Sequence, residues 1–288
     1  MTGIRLLTPA DQPALDAFLA QHTASTMIMR SNLRYAGIVD GPNLYQGAYA
    51  AKFENGSIVA VAAHYWTNNL FFFAPTSAGE LASFLLQHTQ RPPAGLIGPW
   101  ADCITALDHL GLRHRTIDQP PHEEILYELK LSELVVPAAL TDGPIGYRLA
   151  SLDDAETLTG WRIDHEIETI RYERTPALEK RVRETMLRSI AAKDWWVATA
   201  GNEPVAMSSF NARLEEIVQV GGVHTPMRHR GKGYARVVVA GSLMDARNAG
   251  ATTGILFTEI TNTPAQRVYE TLGFKKIGDY ALLMLHPD

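Results

Sequence analysis

The chain has 288 residues and a formal net charge of −5, and at roughly 150 residues per domain its length predicts two domains. With 46% hydrophobic and 20% charged residues it is typical of a globular protein, which excludes a disordered, collagenous or coiled-coil chain. A mildly acidic chain has no overall field that attracts nucleic acid or an anionic membrane. Any anion must therefore be held by a local site.

The single cysteine, Cys103, excludes an intramolecular disulfide and favours a reducing compartment. It stands in a run with helical spacing and has no His or Lys immediately beside it, so we expect a structural thiol. No apolar run reaches the ~18 residues of a membrane span, and the N-terminus lacks a basic segment followed by an apolar core. These features predict a cytoplasmic protein.

Apolar periodicity and turn residues predict alternating strands and helices over residues 1–136. Thr8, Pro9 and Asp11 form the pattern of a helix start with a capping box. Asn55 and Gly56, between two apolar runs, are the strongest short hairpin signal. The strands are predicted at 4–7, 47–53, 57–66, 69–74, 95–98 and 125–131. The helices are predicted after Thr8 and at 24–35, 78–87 and 101–110.

Residues 137–145 have the turn-rich composition of a linker, and the same pattern restarts after them. Strands are then predicted at 147–149, 195–200, 204–211, 216–225, 252–260 and 280–285. Helices are predicted after Ser151 and at 161–172, 176–192, 233–248 and 264–272. Because the same element order occurs twice, we expect an α/β fold of two similar domains, 1–136 and 146–288, each built on a mixed sheet.

The segment at 226–235 carries the strongest functional signal, because two glycines precede a predicted helix there. Its sequence is Pro-Met-Arg-His-Arg-Gly-Lys-Gly-Tyr-Ala. Such a loop can turn several backbone N–H groups toward one anion, and Arg228, Arg230 and Lys232 add positive charge. The pattern indicates a phosphate cradle, with a solvated basic turn as the alternative.

Other motifs for phosphate or metal fail at single positions. A Walker A loop would need glycine where Pro226 stands, and a Rossmann fingerprint would need a small residue in place of Arg236. His165 begins a zinc-protease pattern, but Thr169 replaces the second ligand. We therefore expect no metal site.

A second informative stretch follows the strand at 252–260. Thr263, Pro264 and Gln266 form a capping-box pattern, so a helix is predicted to begin with Thr263 as its N-cap. Asn262 then lies at the carboxyl end of the strand, where α/β sheets place their ligands. Tyr269 lies about one and a half turns into the helix, and its alternative interpretation is a half-buried helix residue.

Taken together, these segments resemble the GCN5-related N-acetyltransferase (GNAT) superfamily. Residues 228–233 are similar to its acetyl-CoA signature Q/R-x-x-G-x-G/A, and Asn262, Tyr269 and Leu272-Gly273-Phe274 are similar to its strand-to-helix ending. The resemblance covers 146–288 and is greatest to a bacterial group of uncharacterised predicted acetyltransferases. Residues 1–136 share only the element order. Ala-Pro-Thr-Ser-Ala-Gly stands where their pyrophosphate loop should be, which predicts a degenerate, non-catalytic copy.

The resemblance implies an acetyl-CoA-dependent N-acetyltransferase in which a small primary amine attacks the thioester directly. The residues implied to hold acetyl-CoA are Val223, His224, Thr225, Arg228, Arg230, Gly231, Lys232, Gly233, Tyr234, Ala235 and Asn262. Tyr269 matches the general acid of the family. As the base that takes the proton of the amine we expect Glu259, on the strand beside the cleft. Glu216, Glu166 and Glu168 are the rival carboxylates, and an ordered water is the other alternative.

Two other functions stay open. One is a non-catalytic acyl-CoA-binding or regulatory module that retains the cradle. The other is an N-acyltransferase that uses a longer acyl-CoA or a protein acceptor. The presence of Tyr269 favours an enzyme. The sequence leaves the acceptor and the oligomeric state open, and predicts neither a nucleic-acid nor a membrane partner.

Overall fold

A computed structural model describes residues 3–287 and divides them into two compact units. The first unit contains residues 3–126, 257–261 and 277–287, and the second contains 127–256 and 262–276. Each unit therefore takes segments from both halves of the sequence.

The elements alternate along the chain much as predicted. The strands are β1 (Gly3–Leu6), β2 (Gly47–Glu54), β3 (Ser57–Tyr65), β4 (Asn69–Phe73), β5 (Gly95–Pro99), β6 (Glu124–Lys130), β7 (Ile145–Leu149), β8 (Trp195–Ala200), β9 (Glu203–Arg213), β10 (Ile217–His224), β11 (Thr253–Glu259) and β12 (Lys275–Met284). The α-helices are α1 (Gln12–Ala20), α2 (Thr23–Ala36), α3 (Ala78–Thr89), α4 (Trp100–His109), α5 (Ala138–Thr141), α6 (Ala155–Thr169), α7 (Pro176–Ala191), α8 (Tyr234–Asn248) and α9 (Thr263–Thr271). None of the helices within residues 3–287 has the length and apolar content to cross a membrane.

The first unit is built on a mixed sheet with the strand order β1-β2-β3-β4-β5-β12. Strands β2 and β3 form the predicted hairpin, whose turn uses the positive φ angles of Asn55 (51°) and Gly56 (86°). Strands β4 and β5 run parallel, and β12 lies antiparallel to β5 with Tyr280 opposite Pro99.

Alternate residues of this sheet face two separate cores, as the period of two in a strand requires. Ala62 of β3 packs in the cluster that holds residues of α3 and α4, whereas its neighbour Val61 packs with residues of α1 and α2. Cys103 of α4 lies in the first of these clusters and is fully buried, and burial raises the pKa of its thiol. The prediction of a structural thiol is confirmed.

In the second unit the strand order is β6-β11-β10-β9-β8-β7, with β10 and β11 parallel. Adjacent tryptophans on β8 show how the helices flank this sheet. Trp195 donates from Nε1 to Ser189 Oγ of α7 at 2.7 Å, and Trp196 donates from Nε1 to Asp245 Oδ2 of α8 at 2.8 Å. Helices α6 and α7 therefore cover one face, and α8 covers the other.

The boundaries of the two units differ from the predicted halves. Strand β12 pairs with β5, so residues from 277 onward fall in the first unit, while residues 127–130 of β6 fall in the second. The predicted linker 137–145 contains helix α5 and the first residue of β7. Local periodicity detects strands but not their pairing partners, because pairing joins residues far apart in sequence. The two repeats along the chain, 1–136 and 146–288, stay a prediction.

Candidate active site

The loop between β10 and α8 exposes the start of a helix to open space. A 3-10 turn covers Met227–His229, and Gly231 and Gly233 then have positive φ angles of 76° and 79°. A Cβ built on either glycine meets no atom within 4 Å, and α8 begins at Tyr234 without a side-chain cap. The first N–H groups of a helix have no intrahelical acceptor, and the helix dipole adds to their attraction for an anion. This geometry supports a phosphate cradle.

Two buried polar atoms beside the loop also fit a polar ligand. Thr225 Oγ1 precedes the loop and Arg236 Nε follows it, and neither has a hydrogen-bond partner within the part of the chain that the structure describes. Buried polar atoms nearly always have a partner. Thr225 directly precedes the loop, so an oxygen-rich ligand lying there would supply a partner for its hydroxyl.

The cations of the loop are not all directed at an anion. Arg230 donates from Nε to the Thr225 carbonyl oxygen at 2.9 Å and from Nη2 to Glu168 Oε2 at 2.6 Å. Arg228 Nε lies 3.1 Å from His229 Nε2, and Lys232 is exposed. The side chain of Arg230 therefore ties the loop to α6, whereas its backbone belongs to the cradle.

Next to this loop, strand β10 continues beyond the end of its pairing with β11. Its parallel ladder with β11 covers Ile217–Gln219, but the strand runs on to His224. Against β9 the register shifts by one residue, because Gly221 lies opposite Ser209 and His224 opposite Met207. The backbone beyond Gln219 therefore extends past the parallel ladder and offers N–H and C=O groups to a ligand along the strand.

The bulge depends on a glycine. Gly222 has a positive φ angle of 59°, and a Cβ there would lie 2.7 Å from both Ser209 Oγ and Trp195 Cη2. Only glycine suits this backbone without displacing its neighbours. The predicted contact residues Val223, His224 and Thr225 follow directly after it.

Helix α9 carries the other predicted site residues. Asn262, not Thr263, is its N-cap, because Asn262 Oδ1 accepts a hydrogen bond from the Ala265 N–H at 3.2 Å. The expectation of a Thr263 cap is wrong by one residue, since either side chain can make such a cap and the chain enters the helix at Asn262. The side-chain oxygen of Asn262 is thus engaged within its own helix.

Tyr269 is buried, with 7% of its surface exposed, and its ring packs against two other rings. The centroid of the Tyr269 ring lies 6.4 Å from the centroid of the Tyr127 ring and 6.0 Å from that of the Phe274 ring. Tyr127 donates from its hydroxyl to Glu270 Oε1 at 3.0 Å, and burial together with this carboxylate raises the pKa of Tyr127 to about 12. Sequence reasoning missed Tyr127, because β6 lies far from α9 in the sequence.

The predicted base, Glu259, belongs to the first unit, whereas the loop belongs to the second. Its Oε2 lies 3.8 Å from His122 Nε2, and its carboxylate accepts a hydrogen bond from the Thr261 hydroxyl. Glu216 precedes β10, so the length of that strand separates it from His224. The role of Glu259 as base stays a prediction, and so does the rival role of Glu216.

The remaining two carboxylates lie on α6 and differ in their surroundings. Glu166 is 3% exposed and held between Arg162 and Arg181, with Arg162 Nε 3.0 Å from its Oε1. That arrangement is a structural ion-pair network joining α6 to α7. Glu168 instead reaches the loop through Arg230, and its Oε2 lies 3.9 Å from Nδ1 of the buried His224. Of the rivals, Glu168 has the geometry closest to the cradle.

In the first unit, the start of α3 holds the same place in the element order, but side chains fill it. The Ala74 N–H donates to Asp102 Oδ2 at 2.6 Å, and Lys52 Nζ donates to Ser77 Oγ at 2.8 Å. A Cβ on Gly79 would lie 2.5 Å from the ring of His109. These contacts occupy the positions that a ligand would need, which supports the prediction of a degenerate copy.

Comparisons with known proteins agree with the resemblance to the GNAT superfamily. Residues 160–274 match the Acetyltransferase (GNAT) family, while no curated protein matches the chain significantly. A GNAT-family acetyltransferase from Colwellia psychrerythraea has a TM-score of 0.55 and 14% identity, over 99% of this chain and 100% of that one. A GCN5-related N-acetyltransferase from Sphaerobacter thermophilus has a TM-score of 0.61 and 16% identity, over 98% and 94%. A tandem GNAT protein from the clavulanic acid biosynthesis pathway has a TM-score of 0.58 and 12% identity, over 100% of both chains.

Sequence identities this low show the fold alone, and the family match covers residues 160–274. The chain has the fold of tandem GNAT proteins, and residues 160–274 match the GNAT family model. The resemblance inferred from the two motifs is confirmed. Family and fold support an acetyltransferase, and the matched segment includes both the loop at 226–235 and Tyr269.

Proposed function

We propose that this protein of the GNAT fold is an acetyl-CoA-dependent N-acetyltransferase that acts on a primary amine of a small molecule. The observation that carries the proposal is the uncapped start of α8, where Gly231 and Gly233 face open space beside the extended end of β10. A solvated basic turn would need neither the open glycines nor the bulge that precedes them.

The described residues divide the binding of acetyl-CoA among three groups. The backbone N–H groups of Gly231–Ala235 hold the diphosphate, with Thr225 Oγ1 and Arg236 Nε as further donors. The backbone of Val223–Thr225 pairs with the pantetheine arm, which extends the sheet in place of the missing ladder. When bound, acetyl-CoA supplies an acetyl group already activated as a thioester.

The transfer then needs stabilisation of the oxyanion and protonation of the leaving thiolate. An N–H group at the end of β10 faces the developing oxyanion, an interaction worth roughly 3 kcal/mol where one such donor has been removed in other enzymes. The Tyr269 hydroxyl donates its proton to the departing sulfur. The rings of Tyr127 and Phe274 hold the phenol in place.

The experiment that tests this function has two readouts on the wild-type chain. Thermal unfolding with and without acetyl-CoA measures binding, and a thiol reagent measures release of CoA with a panel of amines, amino acids, polyamines and peptides. We expect a stabilising shift and amine-dependent release. Binding without release for any acceptor would instead support an acyl-CoA-binding module, and the absence of a shift would reject the cradle itself.

We also propose that the enzyme works in the cytoplasm on a small acceptor. The sequence has one cysteine, and that thiol is buried, so oxidising conditions offer the fold no stabilisation. The net charge of −5 favours neither a nucleic-acid nor an anionic membrane surface as partner.

A further inference from the structure

A buried histidine lies at the end of β10, where the acceptor amine must meet the thioester if the proposed function holds. The side chain of His224 is 5% exposed, whereas Val223 and Thr225 on either side are only partly buried. The imidazole is therefore largely shielded from solvent, and it lies beside helix α6 at the end of the strand that leads into the loop.

The groups around this imidazole come from α6 and from the loop. Glu168 Oε2 lies 3.9 Å from His224 Nδ1, and the same oxygen accepts from Arg230 Nη2 at 2.6 Å. The ring of His165 stands edge-on to that of His224, with centroids 6.2 Å apart. The charge of Asp164 also acts on His224. Glu168 is thus fixed by one side chain of the loop and directed at one nitrogen of the histidine.

We propose that His224 is the general base of the acetyl transfer and that Glu168, held by Arg230, positions its imidazole. A carboxylate that faces Nδ1 favours the tautomer with the proton on that nitrogen. Nε2 then carries the lone pair that accepts a proton from the acceptor. The inference rests on the proposed function. It adds the identity of the base, a residue that sequence reasoning included only for its backbone.

The protonation state of His224 suits this role. Burial is the largest influence and lowers the pKa of His224, while Glu168 and Asp164 raise it and Arg230 lowers it. The imidazole is therefore neutral near pH 7 and free to take up a proton, whereas an amine acceptor arrives mostly as the ammonium ion. The neighbouring His165 has its pKa lowered even further by burial, so the two rings do not compete as cations.

The acceptor ammonium gives one proton to Nε2 of His224, and its nitrogen then forms a bond with the thioester carbonyl carbon. The C–S bond breaks, and the sulfur takes the hydroxyl proton of Tyr269. The second proton of the former ammonium restores the phenol, and the imidazolium releases its proton to solvent. Two protons leave the nitrogen, one ends on CoA, and one is released.

The test compares His224→Asn and Glu168→Gln with wild type by the pH dependence of CoA release. We expect His224→Asn to lower kcat by about 10² to 10⁴-fold. Its kcat/KM should rise about tenfold per pH unit up to the pKa of the amine, because only the free amine then reacts, while the wild type reaches a plateau. In the pH profile of kcat/KM, the acidic limb is the fall in rate at low pH where His224 becomes protonated. Glu168→Gln should shift this limb to lower pH, because the carboxylate raises the pKa of His224.

Glu156→Gln is the matched control, since it removes the same charge from an exposed position in the first turn of α6. We expect it to leave both kcat and the acidic limb unchanged. Glu168 is well exposed, so its variant should fold even if His224→Asn does not. An acidic limb that stays in place in Glu168→Gln, or wild-type turnover in His224→Asn, overturns the proposal.

A second readout separates this inference from the proposed function. Nitrogen-15 NMR of the full chain with CoA added reports the tautomer of each imidazole, and His224→Asn identifies the signal. We expect a neutral ring at pH 7 with its proton on Nδ1. A charged ring, or one with its proton on Nε2, overturns the role of His224 even if acetyl transfer is established. Failure of acetyl-CoA to stabilise the wild type rejects the proposed function instead.

Discussion

The start of α3 in the first unit and the start of α8 in the second follow the same kind of strand but differ in what faces them. At α8, Gly231 and Gly233 face open space, and Thr225 Oγ1 has no partner within the described residues. At α3, Asp102 Oδ2 accepts a hydrogen bond from the Ala74 N–H, and the ring of His109 covers Gly79. The same topology thus leaves an open helix start in one unit and a packed one in the other.

The difference lies in the side chains that face each helix start and in the positive φ angles of Gly231 and Gly233, which residues 74–79 do not share. Helix α4 contributes both Asp102 and His109, so the helix after β5 supplies the groups that close the first unit. Its counterpart after β11 is α9, which caps its own start with Asn262 and directs Tyr269 into a cluster of rings. In this chain, Asp102 and His109 of α4 therefore contribute to the packed start of α3, together with the Lys52 contact to Ser77.

The largest expected effect comes from closing the open cradle. Gly233→Glu places a side chain and a negative charge where the diphosphate lies, so acetyl-CoA should no longer stabilise the protein. At about 100 times its dissociation constant, the ligand stabilises the wild type by roughly 2.7 kcal/mol. Thermal unfolding with and without acetyl-CoA measures the loss of this stabilisation.

Gly201→Glu is the matched control for backbone strain. Gly201 lies in the β8–β9 turn with a φ angle of +60° and, like Gly233, has no atom within 4 Å of a built Cβ. Both variants force a side chain into the left-handed region, but only Gly233→Glu should abolish the shift. If acetyl-CoA still raised the unfolding temperature of Gly233→Glu, the loop of the second unit would not be the acetyl-CoA site.

The next effect concerns chemistry in the site. Tyr269→Phe keeps the ring packing against Tyr127 and Phe274 but removes the hydroxyl, so the chemical step should slow while acetyl-CoA binding stays. General acids contribute about 10² to 10⁴-fold, and we expect the lower value, because a CoA thiolate is a fair leaving group and bound water can replace the phenol. The turnover number with an active acceptor measures this change.

Tyr127→Phe provides the control for Tyr269→Phe. It removes a hydroxyl from the adjacent ring, where the hydroxyl donates to Glu270. Turnover should stay near the wild-type value in that variant. Equal turnover in wild type and Tyr269→Phe, with chemistry limiting the rate, would make Tyr269 a packing residue.

The comparison of the two units also predicts a stoichiometry. Calorimetric titration should give one acetyl-CoA per chain, because contacts of Asp102 and His109 occupy the corresponding positions of the first unit. Gly233→Glu should then show no binding heat at all. Two molecules per chain, or residual binding in that variant, would contradict the assignment of the first unit as degenerate.

Local signals were sufficient to predict much of this molecule. The Asn55-Gly56 hairpin, the Ser151–Asp154 capping box and the glycine loop before α8 all depend on residues close in sequence. The pairing of β12 with β5 was not predicted, because a strand pattern does not specify its partner. The approach of Glu168 to His224 was missed for the same reason, since α6 and β10 meet only in the folded chain.

The smallest expected effect tests how the first unit was closed. Burial raises the pKa of Asp102, against the opposing effect of the Ala74 N–H, so the folded state holds this proton more tightly than the unfolded state. The ionised carboxylate then lowers stability as pH rises above the unfolded pKa of about 3.9.

Asp102→Asn keeps an oxygen acceptor for Ala74 and removes the charge. At pH 7 the variant should equal the wild type or exceed it by about 1 kcal/mol in free energy of unfolding, and the difference should shrink toward pH 4. Asp102→Ala removes the acceptor as well and should lose about 1–3 kcal/mol at both pH values. Urea unfolding at the two pH values measures these differences. An Asp102→Asn variant that is less stable at pH 7 would show that the charge itself stabilises this unit, through a charge-assisted hydrogen bond from the Ala74 N–H.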